Sequence, residues 1–306
     1  MKVAIIGRSE ILYETIKTFL RDGFEIKLII TSKETPEYKK KSKDFKKLAK
    51  KIKAKYIYSN KLEKYIDEIK KTKCEIAVSS NHVNIISQEI IDLFPLGILN
   101  AHGGDLPRYR GNACQAWAIL NSESHVGLCI HKMLGGELDL GNIISKEYFN
   151  ININTKITEC NDWMTKRIPI MFLNSVKKLK RNNKFFLEKN PKNSKEKFRC
   201  YPRIPEDGKI DWSKSNKDIL RLINASNKPY AGAYCFFNNK KLIIWDATLY
   251  NDNEKYLAVC GQVSAIEKNS IIIITGNGKL RIKKIEYEKF IGQPTNKIRS
   301  IRSRLK

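Results

Sequence analysis

The first hundred residues alternate between short apolar runs and amphipathic stretches. Val3-Ala4-Ile5-Ile6 is an apolar run of buried-strand length that ends at Gly7. Ser9 stands where a helix N-cap is expected, and Glu10 suits a first turn. Leu12, Ile16, Phe19 and Leu20 then recur at helical spacing until Gly23. Ile26 to Ile30 reads as a second strand. Phe45, Leu48 and Ile52 give the lysine-dense stretch Lys39 to Lys55 one apolar helical side, which leaves most of its charge as a solvated face. Tyr56 to Tyr58 reads as a strand, Leu62, Ile66 and Ile69 as a helix, and Ile76 to Ser79 as a strand. A short helix at Ser87 to Leu93, stopped by Pro95, and a strand at Gly97 to Asn100 complete the series. This rhythm predicts an α/β fold with a twisted, mostly parallel, Rossmann-like sheet covered by helices. Gly7-Arg8-Ser9 is not GxGxxG, so a nicotinamide dinucleotide enzyme is disfavoured.

Beyond residue 100 the texture changes twice. Gly127 to Met133 is strand-like, and Thr155 to Lys180 reads as a long helix with Trp163, Ile168, Phe172, Val176 and Leu179 on its apolar side and a kink at Pro169. Asn, Lys, Pro and Gly then dominate to Gly208, which predicts a first domain at 1–188, a linker at 189–208 and a β-rich domain at 209–306. In the last segment Ser215 and Asp218 form a capping pattern ahead of Ile219, Leu220 and Ile223. Ala233 to Phe237, an Asn238-Asn239 turn, Leu242 to Trp245, Ile271 to Ile274, a Gly276-Asn277-Gly278 turn and the apolar set Leu280, Ile282 and Ile285 predict a small barrel-like β domain.

An apolar share of 42% over 306 residues supplies a sizeable core and excludes disorder as the main state. No apolar run approaches the ~18 residues of a membrane span. The start MKVAIIGRSE lacks the apolar length of a secretory signal, so a cytoplasmic protein without membrane contact is expected. Seven widely spaced cysteines without a CxxC pair argue against a disulfide framework and a structural metal site. The formal charge of +26 admits RNA or an acidic small molecule as partner, but lysines are scattered throughout, so charge does not decide function.

The richest stretch is Asn100-Ala101-His102-Gly103-Gly104-Asp105-Leu106-Pro107-Arg108-Tyr109-Arg110-Gly111-Asn112. It leaves the carboxyl edge of the sheet, where open α/β folds bind ligands. Asn100 and His102, two apart on a strand end, point to the same side, and Gly103-Gly104 lets the backbone lie close to a ligand. Arg108 and Arg110 offer phosphate-binding forks on a stiff loop. A second polar element, Glu137 to Asn142, follows the strand at Gly127. Brought together, an Asn, a His and an Asp make an acyl-transfer site: a base for an attacking amine, an oxyanion donor and an acid that orients the imidazole. No Ser or Cys nucleophile and no metal is needed. His82 reads as a pocket-lining residue, and His125 and His131 as structural. Asp105 reads as closer to acceptor selection than to catalysis, and Trp117 as a core residue of a helix at Ala113 to Leu120.

The order Asn100-Ala101-His102, Leu106-Pro107-Arg108-Tyr109-Arg110-Gly111 and Leu138-Asp139-Leu140-Gly141 resembles the folate-dependent formyltransferases. Ile210-Asp211-Trp212, Ile219 to Ala225, Pro229, Gly232-Ala233 and Trp245 resemble, more loosely, the small C-terminal domain of the members acting on methionyl-tRNA, which several two-domain sugar formyltransferases share. The resemblance implies 10-formyltetrahydrofolate as donor and an amine acceptor, with Asn100, His102 and Asp139 catalytic. It also implies that Ser80, Asn81, His82, Val83, Asn84, Ile85 and Leu138 line the folate pocket. Arg8, Gly104, Asp105, Arg108, Tyr109, Arg110, Gly111 and Asn112 are expected on the acceptor side. Gly111-Asn112-Ala113-Cys114-Gln115-Ala116-Trp117 replaces the G-A-A-P-I run of the tRNA enzymes, which favours an amino-deoxy sugar on UDP or dTDP, of the kind used in surface glycan synthesis. Initiator Met-tRNA is the alternative acceptor. A non-catalytic folate or nucleotide-sugar binder, and a homodimer, also remain open.

Overall fold

The computed structural model describes residues 1–35, 38–192 and 198–306. Residues 193–197, inside the expected linker, lie outside the described residues. In chain order the elements are β1 (Lys2–Gly7), α1 (Glu10–Arg21), β2 (Glu25–Thr31), α2 (Ser42–Lys51), β3 (Lys55–Tyr58), α3 (Ile66–Lys71), β4 (Ile76–Ser80) and α4 (Gln88–Ile91). There follow β5 (Ile98–His102), β6 (Tyr109–Gly111), α5 (Cys114–Leu120), β7 (His125–Lys132), β8 (Ile143–Asn150), α6 (Ile157–Arg181) and β9 (Phe198–Cys200). The rest is α7 (Asn216–Ala225), β10 (Ala233–Phe237), β11 (Lys240–Tyr250), β12 (Val263–Ile266), β13 (Ile271–Ile274), β14 (Lys279–Tyr287) and β15 (Phe290–Gly292).

The chain forms two compact units. One holds Met1–Cys114, Gly127–Phe149 and Asn161–Cys200; the other holds Gln115–Val126, Asn150–Cys160 and Tyr201–Lys306. The units are therefore not two consecutive stretches, because residues 115–126 and 150–160 group with the C-terminal elements.

A seven-stranded sheet of order β3-β2-β1-β4-β5-β7-β8 organises the first unit. From β3 to β5 the pairings are parallel, and β7 joins β5 antiparallel. The apolar runs legible in the sequence are the fully buried strands. Ala4 and Ile6, Leu28 and Ile30, and Ala77 pack with Ile69, Ile90 and Ile98 in one core cluster. Strand order turns outward in opposite directions from β1 and β4, and open α/β folds bind ligands at the carboxyl ends of such a pair. Gly7 fits that junction for a steric reason: its φ is +127° and a Cβ would lie 2.0 Å from the Ser80 carbonyl oxygen.

Two local expectations changed. Ser9 occupies the N-cap of α1, but its φ is 92° and its hydroxyl makes no capping bond. The Arg108-Tyr109-Arg110 segment is not a loop throughout. Residues Tyr109–Gly111 form β6, a parallel partner of β9 inside the expected linker. Helix α6 continues on both sides of Pro169, and no helix among the described residues is long and apolar enough to cross a membrane.

The second unit is built on an antiparallel sheet of order β10-β11-β14-β13-β12, with β15 added to β14. Its core joins Trp212, Ile219 and Ile223 to Leu242, Ile244, Ile271, Ile273, Leu280 and Ile282. Ser215 caps α7 as its sequence requires, accepting a bond from the Asp218 amide at 3.1 Å. Asn238 and Asn239 both have positive φ, as a two-residue hairpin turn demands.

Candidate functional site

The site begins with the pairing of β5 and β7, which sets Asn100 opposite His131 and His102 opposite Cys129. His102 is buried, and so is Asp139 on the loop after β7. His102 Nδ1 lies 3.4 Å from Asp139 Oδ1, and its Nε2 lies 2.7 Å from the Tyr109 carbonyl oxygen. Each ring nitrogen thus faces an acceptor, an arrangement that favours the doubly protonated ring. Burial works against that charge. The Asp139 carboxylate and its bond outweigh it and raise the His102 pKa above the ordinary 6.5. Burial likewise opposes ionisation of Asp139, yet His102 and the Gly111 amide, which donates to Oδ2 at 2.9 Å, hold it at about 2.

The Leu-Asp-Leu-Gly loop has its shape for backbone reasons. Asp139 adopts φ 50°. Gly141 has φ +104°, and a Cβ there would lie 1.9 Å from the Lys132 carbonyl oxygen. Asn190 braces the loop by donating to the carbonyls of Asp139 at 2.9 Å and Gly141 at 3.3 Å.

Asn100 is fixed by a residue that the sequence marks only as structural. Its amide nitrogen lies 3.2 Å from His131 Nε2, while His131 Nδ1 faces the carbonyls of Lys132 at 3.0 Å and Leu140 at 3.1 Å. Carbonyls only accept, so Nδ1 carries the hydrogen and Nε2 is a bare acceptor for one Asn100 N–H. Burial, aided by the positive charge of His102, lowers the His131 pKa to about 4 and keeps this ring neutral. Among the described residues nothing engages the second Asn100 N–H. Sequence spacing offered no sign of this role. It depends on a cross-strand register that only the fold supplies.

The residues expected on the acceptor side divide into groups. Gly104 passes beside the imidazole; a Cβ there would lie 2.5 Å from His102 Nε2. Asp105 is engaged by Lys146 at 3.3 Å, by the Tyr148 hydroxyl at 3.2 Å and by Arg108 at 3.6 Å. Arg108 also lies over the buried Tyr109 ring, 5.6 Å from its centroid. Arg110 turns inward, with Nη2 donating to Asn190 Oδ1 at 2.9 Å and to the Pro191 carbonyl at 3.0 Å. Gly111 and Asn112 approach β9, where the Asn112 amide donates to the Cys200 carbonyl at 3.0 Å. Cys114 Sγ is 3.7 Å from His102 Nε2, and its pairing with the Cys200 thiol and its burial raise its pKa, so it stays protonated and is no nucleophile.

The remaining expected residues gather at the ends of β1 and β4. Arg8 donates from Nε to the Asn81 carbonyl at 3.0 Å and from Nη1 to the Lys33 carbonyl at 2.5 Å. Ser80 is buried, and Asn81 adopts φ 56°. Burial and the Arg8 charge lower His82 to about 4. The Asn84 amide is tied to the Asn60 carbonyl at 3.0 Å, whereas Val83 and Ile85 expose their apolar side chains. Leu138 is half-buried beside Asp139. The hydroxyls of Ser9 and Ser32 are buried with no partner among the described residues.

Chemically, the centre holds an imidazole paired with a carboxylate, beside a carboxamide. A family model described as formyl transferase matches residues 1–175, and one described as formyl transferase, C-terminal domain, matches 203–294. The chain is 31% identical over 268 residues to the bifunctional polymyxin resistance protein ArnA of Wigglesworthia glossinidia brevipalpis, covering 83% of this chain and 39% of that protein. It is 24% identical to the methionyl-tRNA formyltransferase of Acetivibrio thermocellus, covering 94% of this chain and 92% of that one. Among solved structures, WlaRD, a sugar 3N-formyl transferase with dTDP and 5-N-formyl-THF, matches with a TM-score of 0.69 at 23% identity over 95% of this chain and 98% of its own. An N-formyltransferase from Helicobacter canadensis, in complex with folinic acid and dTDP-3-aminofucose, matches with a TM-score of 0.70 at 20% identity over 92% of this chain and 99% of its own. At such identities the two structures establish the shared fold.

Proposed function

Because the chain belongs to the formyl transferase family, we propose that it moves a formyl group from 10-formyltetrahydrofolate to the primary amine of a nucleotide-linked amino-deoxy sugar, with UDP or dTDP as carrier. The observation that carries the chemistry is the buried His102–Asp139 pair beside the half-buried Asn100, which is tied to it through His131: Nε2 of that ring lies 3.2 Å from the Asn100 amide nitrogen and 3.9 Å from Asp139 Oδ1. Asp139 keeps a hydrogen on Nδ1, so a neutral His102 presents a lone pair at Nε2. That lone pair faces the Tyr109 carbonyl oxygen, and taking up a proton from the attacking amine turns this repulsion into a hydrogen bond. The free N–H of Asn100 donates to the oxygen that becomes negative as the amine adds to the formyl carbon, an effect worth about 3 kcal/mol in comparable sites. Protonated His102, stabilised by Asp139, then hands its proton toward the departing nitrogen.

Residues at the end of β4 suit the formyl donor. Exposed Val83 and Ile85 offer apolar surface for a ring system, beside the backbone polar groups of 80–85. The end of β1 suits a diphosphate: Arg8 lies at the N-terminus of α1, and the buried hydroxyls of Ser9 and Ser32, close in the chain and sheet, have no partner among the described residues. β1 and β5 are two strand spacings apart, about 10 Å, a span that a sugar diphosphate bridges. Support for a sugar acceptor comes from the Asn112-to-Trp117 sequence and from relatives that bind dTDP or dTDP-3-aminofucose. A second reading, Met-tRNA, rests on relatives that match this chain over nearly its whole length.

Tetrahydrofolate release measured with UDP- and dTDP-amino sugars, and with Met-tRNA, separates these readings. The expected result is a kcat/KM at least about a hundredfold higher for one of the sugars. The reverse ranking overturns the sugar assignment, and release with neither acceptor overturns formyl transfer.

A further inference from the structure

A cavity of about 420 Å³ opens in the second unit, built from residues outside the catalytic constellation. It is lined by Lys156, Lys228 and Lys284, by Trp245 and Asp246, and by Asn227. Such a volume is within the range of small-molecule sites. The lining is organised rather than a chance meeting of surface lysines. Asn227 is buried; its amide donates to the Trp245 carbonyl at 2.8 Å and its Oδ1 accepts from the Lys228 amide at 3.0 Å. That pair of bonds fixes Lys228 with its ammonium 4.8 Å from the centroid of the Trp245 ring. The Trp245 indole donates to Glu286 at 2.9 Å, which locks the ring from its other end. On β11 the register is irregular on both sides of Asp246, and such irregularities re-aim a side chain. Asp246 meets Lys156 at 2.5 Å and is paired across the ladder with Lys284.

Three ammonium groups against one carboxylate leave this lining with an excess of two positive charges. Lys156 is occupied by Asp246, so the excess resides on Lys228 and Lys284. The geometry points to a second ligand site in this chain, for a small molecule bearing a diphosphate, of the nucleoside diphosphate class. Two flexible ammonium groups match two adjacent phosphates as point charges. The volume exceeds what an inorganic anion fills, which leaves room for a ribose whose hydroxyls Asp246 accepts. The Trp245 ring has little exposed face, 8%, and Lys228 covers it, so the site reads charge and sugar and does not stack a base. It therefore takes uridine and adenosine diphosphates alike. This inference does not depend on which acceptor the catalytic centre uses.

The Trp245 indole N–H is a local reporter, distinct from the other three tryptophans. The test follows its ¹⁵N–¹H resonance, assigned with Trp245→Phe, while the full chain is titrated at constant ionic strength with UDP, ADP, inorganic diphosphate and a short oligoribonucleotide. The expected result is a saturable shift with UDP and ADP at similar affinity, and weaker binding of inorganic diphosphate. Lys284→Ala, at an exposed position, weakens both nucleotides at least fivefold and leaves formyl transfer unchanged. A resonance that does not move, that moves equally in a Lys228→Ala, Lys284→Ala double variant, or that responds to the oligoribonucleotide alone overturns the proposal. Loss of formyl transfer with the Trp245 response intact speaks against the catalytic reading and not against this site.

Discussion

His102 has an acceptor at each ring nitrogen, and the physical consequence is a pH profile. Asp139 raises its pKa, so the neutral, proton-accepting form dominates only above a value higher than the ordinary 6.5. Turnover therefore rises as pH increases through that value. Measured from pH 5 to 9 with saturating formyl donor, log kcat climbs on the acid side and then levels. A flat profile between about pH 5 and 8 contradicts His102 as the base. His131 acts one step away. Its bare Nε2 holds one N–H of Asn100, so His131→Ala leaves the amide free to rotate. The expected change is a kcat lowered by about tenfold or more, up to the roughly hundred- to thousandfold cost of losing an oxyanion donor outright, with KM nearly unchanged and partial recovery in His131→Gln. A change confined to KM would show that His131 is not positioning Asn100. Asn100, His102 and Asp139 stand out in the sequence because each lies in a short local motif, and the structure pairs His102 with Asp139. The role of His131 has no such sign, since it follows from a strand pairing 31 residues away in sequence.

At the scale of elements, the sheet was readable where burial imposed continuous apolar runs. Val3 to Ile6 and Ile76 to Ser79 are strands buried on both faces, and such strands leave a plain signature. β6 and β9 left none, because three-residue strands carry no periodicity and their partners, Tyr109–Gly111 and Phe198–Cys200, lie far apart in sequence. The same limit hid the inward turn of Arg110, which reads as a phosphate fork in sequence but is held by Asn190. The Ser9 cap failed where the Ser215 cap formed. Ser9 has φ 92° at the sharp exit from β1, which takes its hydroxyl away from the helix amides, whereas Ser215 has the extended backbone a cap requires. The glycine pair after β5 has a consequence that can be measured. In Gly104→Ala the new methyl would meet both His102 Nε2 and, at 2.6 Å, the Tyr109 carbonyl oxygen. The loop must shift, so kcat should fall about a hundredfold, the cost typical of a small misplacement, while circular dichroism stays native. Full activity in this variant would show that the loop does not approach the imidazole as described.

For the whole molecule, two matched family segments and two compact units account for most of the chain. Composition bounded the answer without identifying it: a charge of +26 is equally at home on a tRNA enzyme and on one that takes a diphosphate sugar. Short stretches at 115–126 and 150–160 group with the C-terminal elements across sequence, a grouping that composition along the chain does not signal. In the proposed reaction a single imidazole, flanked by a carboxamide and a carboxylate, carries the proton in formyl transfer. Single-turnover tetrahydrofolate release by wild type and His102→Ala, at equal and verified folding, tests it most directly. The expected rate in the variant is at least about a hundredfold lower, and one within a few fold of wild type rules out His102 as the base.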